Sequence, residues 1–456
     1  MKTFFHIVLG SFFIFLFSWV LVYKSGVNPL VIQSEDSLPT MFLPFSIIKK
    51  GSLYLDDFYD MLIEKYPHPD DKSYVKGLTP FYLKKVGNHY VSAFPIMTAI
   101  VALPVYIIPV ISGTLPTWEN VTFLSKISSF LIVSLSGGFL YLLLKKHFVK
   151  DNKKSILLTL IYLFASVNFA MVSQAMWQHG AVQLFSILGL YFLFNFLDSK
   201  NHKDMFLTGL FFGLAIISRP TAALALIFIG LLSYFKIPDW KIYIKSSLFL
   251  VLGVLPSILF FFLYNQIFYE GLSNQGYASQ IFTSWVSPFP ISFLGVWLSP
   301  SKGILIYSPI FIACFVGLYL AMKKGVIKNI DYLIFGIIVL LHTLIISFWK
   351  HWYGGYSFGY RMSSDIIPYL ILLMVPFVNS VFFDKYKKLF MGLFIFSILV
   401  EVFGMVFFDG IWHAAYDLGY ENTLWLWSVK NSELLFNIRR VLVKFGVLER
   451  ACPQCL

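Results

Sequence analysis

The sequence predicts an all-α protein that crosses a membrane many times, and three observations lead to this fold class. First, 58% of the 456 residues are hydrophobic and only 13% are charged, which is about half the charged fraction of a soluble globular protein. Second, apolar runs of about 18 residues or more recur along the whole chain. Third, the Lys residues cluster in short loops between those runs, as cytoplasmic loops do. The net charge of +12 therefore indicates no nucleic-acid partner.

Eleven apolar segments are predicted to be membrane spans. The first, residues 3–23, lacks the small-residue cleavage site of a signal peptide, so we expect it to remain as an uncleaved helix. The other ten are residues 121–144, 155–173, 181–197, 205–218, 221–235, 246–268, 303–322, 331–348, 366–383 and 389–408. Pro220 marks a corner between the two short spans on either side of it.

One further apolar run, residues 93–112, decides the topology. If it does not cross, the five predicted cytoplasmic loops hold 16 Lys residues, whereas the opposite short loops hold only four basic residues. A crossing would place those 16 Lys residues outside, against the positive-inside rule. Its three prolines also disfavour a straight span. We therefore expect a helix lying in the outer interface, with the N-terminus inside and the C-terminus outside.

This topology gives the chain two parts. Residues 1–408 form a transmembrane part whose first outer loop, residues 24–120, carries interfacial helices at about 39–50 and 93–112 and resembles a lid. Residues 409–456 form an outer tail with a basic amphipathic helix. Of the three cysteines, Cys314 is expected in the core, and Cys452 and Cys455 would form a disulfide if the tail is outside the cell.

Ionisable and aromatic side chains collect at the predicted outer ends of the helices, whereas the inner ends carry mostly Lys. Ionisable residues near membrane depth are candidates for function. The outer set contains Glu35, Asp36, Lys84, Lys85, His89, the motif Trp177-Gln178-His179-Gly180, Arg219, and the stretch from Lys350 to Asp365 with Tyr356 and Arg361.

These residue types suit transfer of a group from a lipid phosphate. The pKa of a carboxylate such as Glu35 or Asp36 rises where water is partly excluded, and the carboxylate then becomes a better base. The planar and permanently charged guanidinium groups of Arg219 and Arg361 suit phosphate. They would stabilise the charge that develops on a phosphate leaving group.

Several of these elements together resemble the membrane-integral GT-C glycosyltransferases, in particular the protein O-mannosyltransferases and the bacterial lipid A aminoarabinose transferases. The elements are the acid pair after the first span, the long outer loop, "SQAMWQHG", "GLAIISRPTAAL" and "WYGGYSFGYRMSSDIIP". The resemblance extends to about residue 385. It implies a GT-C-like architecture, a dolichyl- or polyprenyl-phosphate-linked sugar donor, and transfer with inversion at the anomeric carbon.

The resemblance assigns roles to individual residues. The catalytic acid of the family's first outer loop falls on Asp36 or Glu35, and Asp36 is preferred because the pattern "DSLPTMFLP" begins there. The basic residue between two short helices matches Arg219. The Gly-Gly-aromatic-Ser-Phe-Gly-x-Arg element matches Gly354 to Arg361, so Arg361 is the expected phosphate ligand.

Further residues are expected to complete the site. Lys84 and Lys85 stand where relatives have a phosphate-contacting Lys. Residues expected to line the site or to meet the acceptor are His89, Trp177, Gln178, His179, Tyr356 and Asp365. Metal-dependent relatives carry an acid in the second outer loop, where this chain has Gln178 and His179, so the sequence does not support a divalent metal and predicts no certain cofactor.

Structural alternatives stand beside these roles. Glu35 and Asp36 could be solvated loop acids, Arg219 could anchor the chain at lipid headgroups, and Arg361 could pair locally with Asp365. Three ionisable residues lie inside predicted spans and could serve either function or buried hydrogen bonds, namely Lys126, His342 and Glu401.

The sequence thus predicts an inverting glycosyltransferase of a bacterial or archaeal cytoplasmic (inner) membrane, with its active site on the extracytoplasmic face. Its partners would be a polyprenyl-phosphate sugar, membrane lipids, and a glycan, lipid or protein acceptor. One alternative is a transporter or flippase of lipid-linked sugars, which would need related halves or charges at mid-membrane. Another is a different lipid-substrate transferase such as an O-antigen ligase, in which the large outer loop usually comes late in the chain.

Overall fold

The computed structural model describes residues 1–28, 32–276, 278–281 and 283–449, which leaves Cys452 and Cys455 outside the described residues. Within these ranges the regular secondary structure is helical apart from one two-stranded hairpin. Seven helices in the described ranges are long and apolar enough to cross a membrane: Lys2–Lys24, Trp118–Phe148, Gln178–Ser199, Trp240–Phe268, Ile327–Phe348, Arg361–Val378 and Val381–Phe407. The predicted all-α polytopic membrane fold is confirmed.

The number of spans stays a prediction. Each of the eleven predicted spans overlaps a helix, but four of them overlap shorter pieces, namely Asn152–Phe164, His202–Ser218, Pro220–Lys236 and Pro309–Lys323. A helix rises about 1.5 Å per residue, so these pieces are shorter than the about 30 Å of a hydrocarbon core unless the flanking turns contribute.

The first half of the chain contains nine α-helices and both strands of the hairpin. They are α1 (Lys2–Trp19), α2 (Leu38–Lys50), α3 (Tyr59–Lys65), β1 (Leu83–Val86), β2 (His89–Ser92), α4 (Met97–Ile111), α5 (Trp118–Leu143), α6 (Asn152–Phe164), α7 (Gln178–Ser199), α8 (His202–Ser218) and α9 (Ala223–Lys236). The strands are antiparallel, and Leu83 pairs with Ser92.

The second half contains α-helices that are interrupted more often by short 3₁₀ turns. The α-helices are α10 (Trp240–Phe268), α11 (Ala278–Ile281), α12 (Ile291–Leu298), α13 (Ile304–Tyr307), α14 (Ile312–Lys323), α15 (Ile330–Phe348), α16 (Ile367–Val378), α17 (Val381–Phe407), α18 (Ile411–Tyr416) and α19 (Glu433–Lys444). The 3₁₀ helix Arg361–Ile366 leads directly into α16.

Helices α1 and α5 are antiparallel neighbours, which bears on the crossing of residues 93–112. Phe4 packs on Phe139 at one end with ring centroids 5.3 Å apart, and Lys24 pairs with Glu119 at the other end at 3.1 Å. The chain therefore leaves α1 and enters α5 at the same end of the bundle. A single crossing by α4, which lies between them in sequence, is incompatible with this arrangement.

The Lys-rich loops meet at the opposite end of the bundle. Lys146 Nζ donates to Asn195 Oδ1 at 2.7 Å, Lys236 pairs with Asp331 at 3.4 Å, and Lys154 Nζ donates to the Val378 carbonyl at 2.7 Å. Helices that start in these loops are capped by polar side chains, as where Asp151 and Asp239 accept hydrogen bonds from the first backbone amides of α6 and α10. The segregation of Lys at one end agrees with the predicted cytoplasmic side.

The described part of the loop between α1 and α5, which is predicted to face outward, has a hydrophobic core of its own. Helix α2 packs on α4, where the Phe45 and Tyr106 rings meet edge to face at 5.6 Å and the Tyr106 hydroxyl donates to the Met41 carbonyl at 3.2 Å. Thr40 Oγ1 donates to the Met176 carbonyl at 3.0 Å, which ties α2 to the start of α7. The loop is therefore a packed layer over one end of the bundle.

The predicted span 155–173 is wrong in its second half. Helix α6 ends at Phe164, and residues 165–177 form a buried segment with only a short 3₁₀ turn. Side chains compete with the helix there, because Ser166 Oγ and Asn168 Nδ2 both donate to the Tyr162 carbonyl, at 2.7 and 3.0 Å. This irregular segment ends at Trp177, directly before α7.

Thiol labelling tests the arrangement of α1, α4 and α5. In a variant whose three cysteines are replaced by serine, a cysteine at Lys76 or at Glu119 should react with a membrane-impermeant maleimide applied outside the cell. A cysteine at Lys150 should react only after permeabilisation. All three positions are exposed to solvent. Labelling of positions 76 and 119 from opposite sides would show that α4 crosses.

Candidate active site

Asp36 is held at the start of α2, where it meets Arg361. It lies in the 3₁₀ turn Glu35–Ser37, which begins where the Ser34 side chain accepts a hydrogen bond from the Asp36 amide. Its Oδ2 lies 2.9 Å from Arg361 Nη2. The side chains of Asp36 and Arg361 are only 20% and 12% exposed. Asp36 is therefore a partly buried, paired carboxylate and not a solvated loop acid.

Trp177 supports the other side of Arg361. The guanidinium carbon lies 4.5 Å from the centre of the Trp177 ring, which is the geometry of a cation–π contact. Trp177 is itself buried, and its Nε1 donates to the Met171 carbonyl at 3.1 Å. Arg361 Nε is buried without a hydrogen-bond partner in the described residues. The guanidinium is thus held in place while it retains donor capacity for an anion.

Residues 354–360, which we call the glycine turn, lead into Arg361. Gly354, Gly355 and Gly359 have φ angles of +88°, +58° and +61°, values that glycine adopts without the strain of a side chain. A Cβ on Gly359 would lie 3.0 Å from Tyr307 Cδ1. The Gly-Gly spacing in the sequence therefore reflects a turn that only glycine fits.

A second charged cluster has Asp365 at its centre. Arg219 Nη1 lies 3.2 Å from Asp365 Oδ2, and His179 Nδ1 lies 2.8 Å from Asp365 Oδ1. His342 Nε2 lies 3.7 Å from Asp365 Oδ2. These side chains are buried or nearly so, and a small cavity beside them is also lined by Tyr369. Asp365 pairs with Arg219. In the described residues, the alternative local pair between Arg361 and Asp365 is not formed.

Arg219 reaches this cluster because the chain turns beside Pro220. It has extended backbone angles of −154° and 124°, as expected for a residue before proline, and it separates α8 from the 3₁₀ turn Pro220–Ala222. The predicted corner between two short helices is therefore present. It holds the guanidinium against the His179 ring as well as against Asp365.

The start of α7 and the 3₁₀ helix Arg361–Ile366 join the two clusters. Trp177 and His179 are two residues apart, and they contact Arg361 and Asp365, which are four residues apart. The structure thus brings Asp36, Arg219 and Arg361 to one end of the bundle, around the N-terminus of α7. The two arginines hold different carboxylates there.

In the described residues, Glu35 forms no ion pair with Arg361, unlike its neighbour Asp36. Its charge acts on Tyr66 and Tyr82 in the outer loop, and burial together with Glu35 raises the pKa of Tyr66 to about 12. Burial, and then the adjacent Asp36, raises the pKa of Glu35 itself to about 7. Glu35 therefore changes its charge near neutral pH beside the carboxylate that faces Arg361.

The three outer-loop bases lie in contacts of their own. Lys84 Nζ donates to the Asn274 carbonyl, and Lys85 Nζ lies 5.9 Å from the Tyr90 ring centre. His89 Nδ1 lies 2.7 Å from Asp56 Oδ2, and its ring stacks on Tyr54. In the described part of the chain, none of the three forms a hydrogen bond or ion pair with Asp36, Arg219 or Arg361.

The remaining predicted site residues flank the two clusters. Gln178 is the first residue of α7, and its Nε2 is buried without a hydrogen-bond partner among the described residues. Tyr356 is 51% exposed at the glycine turn and stacks on His413, with ring centroids 5.0 Å apart. Gln178 directly follows Trp177, and Tyr356 lies five residues before Arg361.

The ionisable residues inside the predicted spans are buried. Lys126 Nζ donates to the Gln174 carbonyl and lies 4.9 Å from the Tyr23 ring centre, so it holds the irregular segment before α7. His342 contacts Asp365 as described, and Glu401 is fully buried in α17. In the described residues, no group of three or more His, Cys, Asp or Glu side chains has a geometry that could hold a metal ion.

Sequence reasoning missed Glu433, Tyr307 and the role of Lys302. These three side chains are buried beside the glycine turn, where Lys302 and Tyr307 both donate hydrogen bonds to Glu433. Lys302 entered the sequence analysis only as one of four basic residues in outer loops. A Lys between Ser301 and Gly303 carries no signal for burial, and its partner lies 131 residues further along the chain.

Comparisons with known proteins agree with this architecture. The family model for dolichyl-phosphate-mannose-protein mannosyltransferase matches residues 119–264, which is less than half of the chain. The crystal structure of ArnT from Cupriavidus metallidurans in the apo state is similar, with a TM-score of 0.50 and 15% identity over 96% of this chain and 73% of that one. No curated protein sequence matches the chain.

The chain has the GT-C fold. A further similar structure, the Archaeoglobus fulgidus oligosaccharyltransferase in complex with Zn and sulfate, gives a TM-score of 0.47 and 13% identity. That match covers 98% of this chain and 57% of the archaeal chain. The resemblance to GT-C proteins that the sequence predicted is confirmed, and identities this low concern the fold alone.

The Asp365 cluster of this GT-C fold should be needed for folding. Replacing Asp365 by Ala leaves Arg219 and two histidines without their shared carboxylate, and breaking a buried pair typically costs about 3–5 kcal/mol. The purified variant should therefore show a clearly lower melting temperature in detergent, or little folded protein. An Asp57→Ala variant is the control, because the Lys50–Asp57 pair is exposed. Equal melting of the Asp365 variant and the parent would contradict the structural role.

Proposed function

We propose that this protein transfers a sugar from a polyprenyl-phosphate donor to an extracytoplasmic glycan, lipid or protein acceptor, with inversion at the anomeric carbon. The observation that carries the proposal is the Asp36–Arg361 pair, whose charged atoms lie 2.9 Å apart. A carboxylate and a guanidinium side by side provide a base for an acceptor and a cation for a phosphate. The GT-C fold and the partial mannosyltransferase match support transfer from a lipid-linked donor.

Arg361 is the residue that we expect to bind the donor phosphate. Trp177 and Asp36 fix its orientation, and its buried Nε has no hydrogen-bond partner among the described residues, so this donor would be free for a phosphate oxygen that enters beside it. Arg219 already forms an ion pair with Asp365. It would therefore contribute to donor binding only through its positive charge on that side of α7. Lys84 and Lys85 would contribute only if the hairpin moved towards the site.

Asp36 is the residue that we expect to activate the acceptor. The acceptor oxygen attacks the anomeric carbon from the face opposite the phosphate, and its proton passes to the Asp36 carboxylate. The bond from the anomeric carbon to the phosphate oxygen breaks, and the polyprenyl phosphate leaves with the electron pair. Arg361 would stabilise the charge on that phosphate. Asp36 then releases its proton to water.

The Lys asymmetry supports an extracytoplasmic site. The Lys-rich loops and the Asp36–Arg361 pair lie at opposite ends of the bundle, and Lys-rich ends face the cytoplasm. The lipid donor would be drawn from the outer leaflet of the cytoplasmic membrane, beneath the layer formed by the first outer loop. The sequence contains no nucleotide-binding motif, which also favours a lipid-linked donor.

An Asp36→Asn variant distinguishes the activation of the acceptor by Asp36 from the binding of the donor phosphate by Arg361. Turnover should fall by about 100-fold or more, because the general base is lost. The affinity for a polyprenyl monophosphate should hold or increase, since Arg361 loses its competing carboxylate. Both quantities are measured with purified protein, by transfer of a radiolabelled sugar from polyprenyl-phosphate sugar and by titration of tryptophan fluorescence.

An Asp57→Asn variant is the matched control for this experiment. Asp57 lies in the same outer loop but pairs with Lys50 in an exposed position, so its turnover should equal that of the parent. Full turnover in the Asp36→Asn variant would remove Asp36 from the mechanism.

The raised pKa of Glu35 predicts a pH dependence. As pH rises through about 7, Glu35 loses its proton and places a negative charge beside Asp36. This negative charge attracts the proton that the acceptor gives up and so assists the transfer. The transfer rate should therefore rise between pH 6 and pH 8, a window of about one unit on each side of that pKa.

A Glu35→Gln variant tests the origin of that rise. The glutamine side chain does not titrate, so the rate of the variant should stay nearly flat through neutral pH. The measurement is the pH profile of turnover at saturating donor. The same inflection in both proteins would assign it to another group.

A further inference from the structure

A buried acid from the C-terminal segment, residues 409–449, contacts the glycine turn. Glu433 is the first residue of α19 and is fully buried. Its Oε2 accepts hydrogen bonds from the Tyr307 hydroxyl at 2.9 Å and from the Gly359 amide at 3.3 Å. The Lys302 ammonium lies 3.3 Å from the same oxygen. One carboxylate oxygen therefore joins three parts of the chain.

Lys302 makes a second connection to the same turn. Its Nζ donates to the Ser357 carbonyl as well as to Glu433, and it lies 5.3 Å from the centre of the Trp412 ring. The Lys302 side chain is only 1% exposed. The glycine turn is thus held at Ser357 and at Gly359, two residues before Arg361.

Stability alone is a weak reason for this arrangement. The desolvation of two buried charges often cancels their attraction, and apolar residues of similar size frequently serve stability as well. Lys302 and Glu433 nevertheless both hydrogen-bond to the backbone of the glycine turn. Without such contacts, a turn rich in glycine has unusual conformational freedom. Fixing the conformation of this turn explains why the two charged side chains are placed there, whereas a gain in stability does not.

We infer that Glu433, together with Lys302, is a positioning residue that fixes the glycine turn and thereby aims Arg361 at the donor phosphate. This inference rests on the proposed function. It also makes the C-terminal segment part of the catalytic apparatus, although that segment follows the last predicted span. Glu433 itself does not touch the substrate.

Two double variants of the full-length protein isolate the hydrogen bond to Gly359. Glu433→Gln with Lys302→Met removes both charges but keeps a side-chain oxygen that can accept from the Gly359 amide. Glu433→Leu with Lys302→Met also leaves no buried charge unpaired, but it removes that oxygen. An Arg440→Gln variant is a further control, because Arg440 ties α19 to Asp409 at 2.7 Å and does not touch the turn.

Hydrogen exchange, KM values and thermal unfolding are measured on each variant. Amide hydrogen exchange of the peptide covering residues 354–361 reports the order of the turn without any need for activity. The KM for the polyprenyl-phosphate sugar reports donor binding, and the KM for the acceptor is its internal reference. Thermal unfolding in detergent identifies a variant that is merely destabilised.

The inference predicts a difference between the two double variants. The Leu variant should exchange about tenfold faster in residues 354–361 and have a donor KM about tenfold higher than the Gln variant. Its acceptor KM should be unchanged, and the Arg440→Gln protein should match the parent. Equal exchange and equal donor KM in the two double variants would overturn the inference. If the parent transfers no sugar, the proposed function fails, while the exchange comparison still decides whether Glu433 orders the turn.

Discussion

The ion pair between Asp36 and Arg361 is the constraint on which the architecture of the site depends. It joins residues 325 positions apart in sequence: Asp36 lies directly before α2, and Arg361 begins the 3₁₀ helix that leads into α16. Partly buried charges at a membrane boundary are costly unless they are paired. The start of α2 and the 3₁₀ helix that begins at Arg361 must therefore lie next to each other. The packing of α2 on α4 and of Arg361 on Trp177 holds them there.

The helix break before α7 makes this meeting geometrically feasible. Residues 165–177 are buried yet not helical, and irregular backbone at membrane depth is tolerated where protein surrounds it. Side chains satisfy this segment, including Lys126, which donates to the Gln174 carbonyl. The break places Trp177 under Arg361 and His179 beside Asp365. A continuous helix through this region would leave both charged groups without support.

Features that depend on hydrophobicity and charge could be predicted from the sequence. Features that depend on tertiary contacts could not. Apolar length located the helices, and the Lys distribution separated the two ends of the bundle. The element from Gly354 to Arg361 was found by its resemblance to the family pattern, and the positive φ angles in the structure explain why glycine stands at those positions. The early end of α6 was not predicted, since Ser166 and Asn168 cap the Tyr162 carbonyl only in the folded context. The partner of Asp365 was also missed, because local spacing favoured Arg361 over the distant Arg219.

The most direct test of this account is an experimentally determined structure with a polyprenyl monophosphate bound. The account predicts that the phosphate lies within hydrogen-bond distance, about 3 Å, of the Arg361 guanidinium. Asp36 should then face the space where the acceptor oxygen must stand. A phosphate bound elsewhere, with the Asp36–Arg361 pair intact and covered by protein, would contradict it.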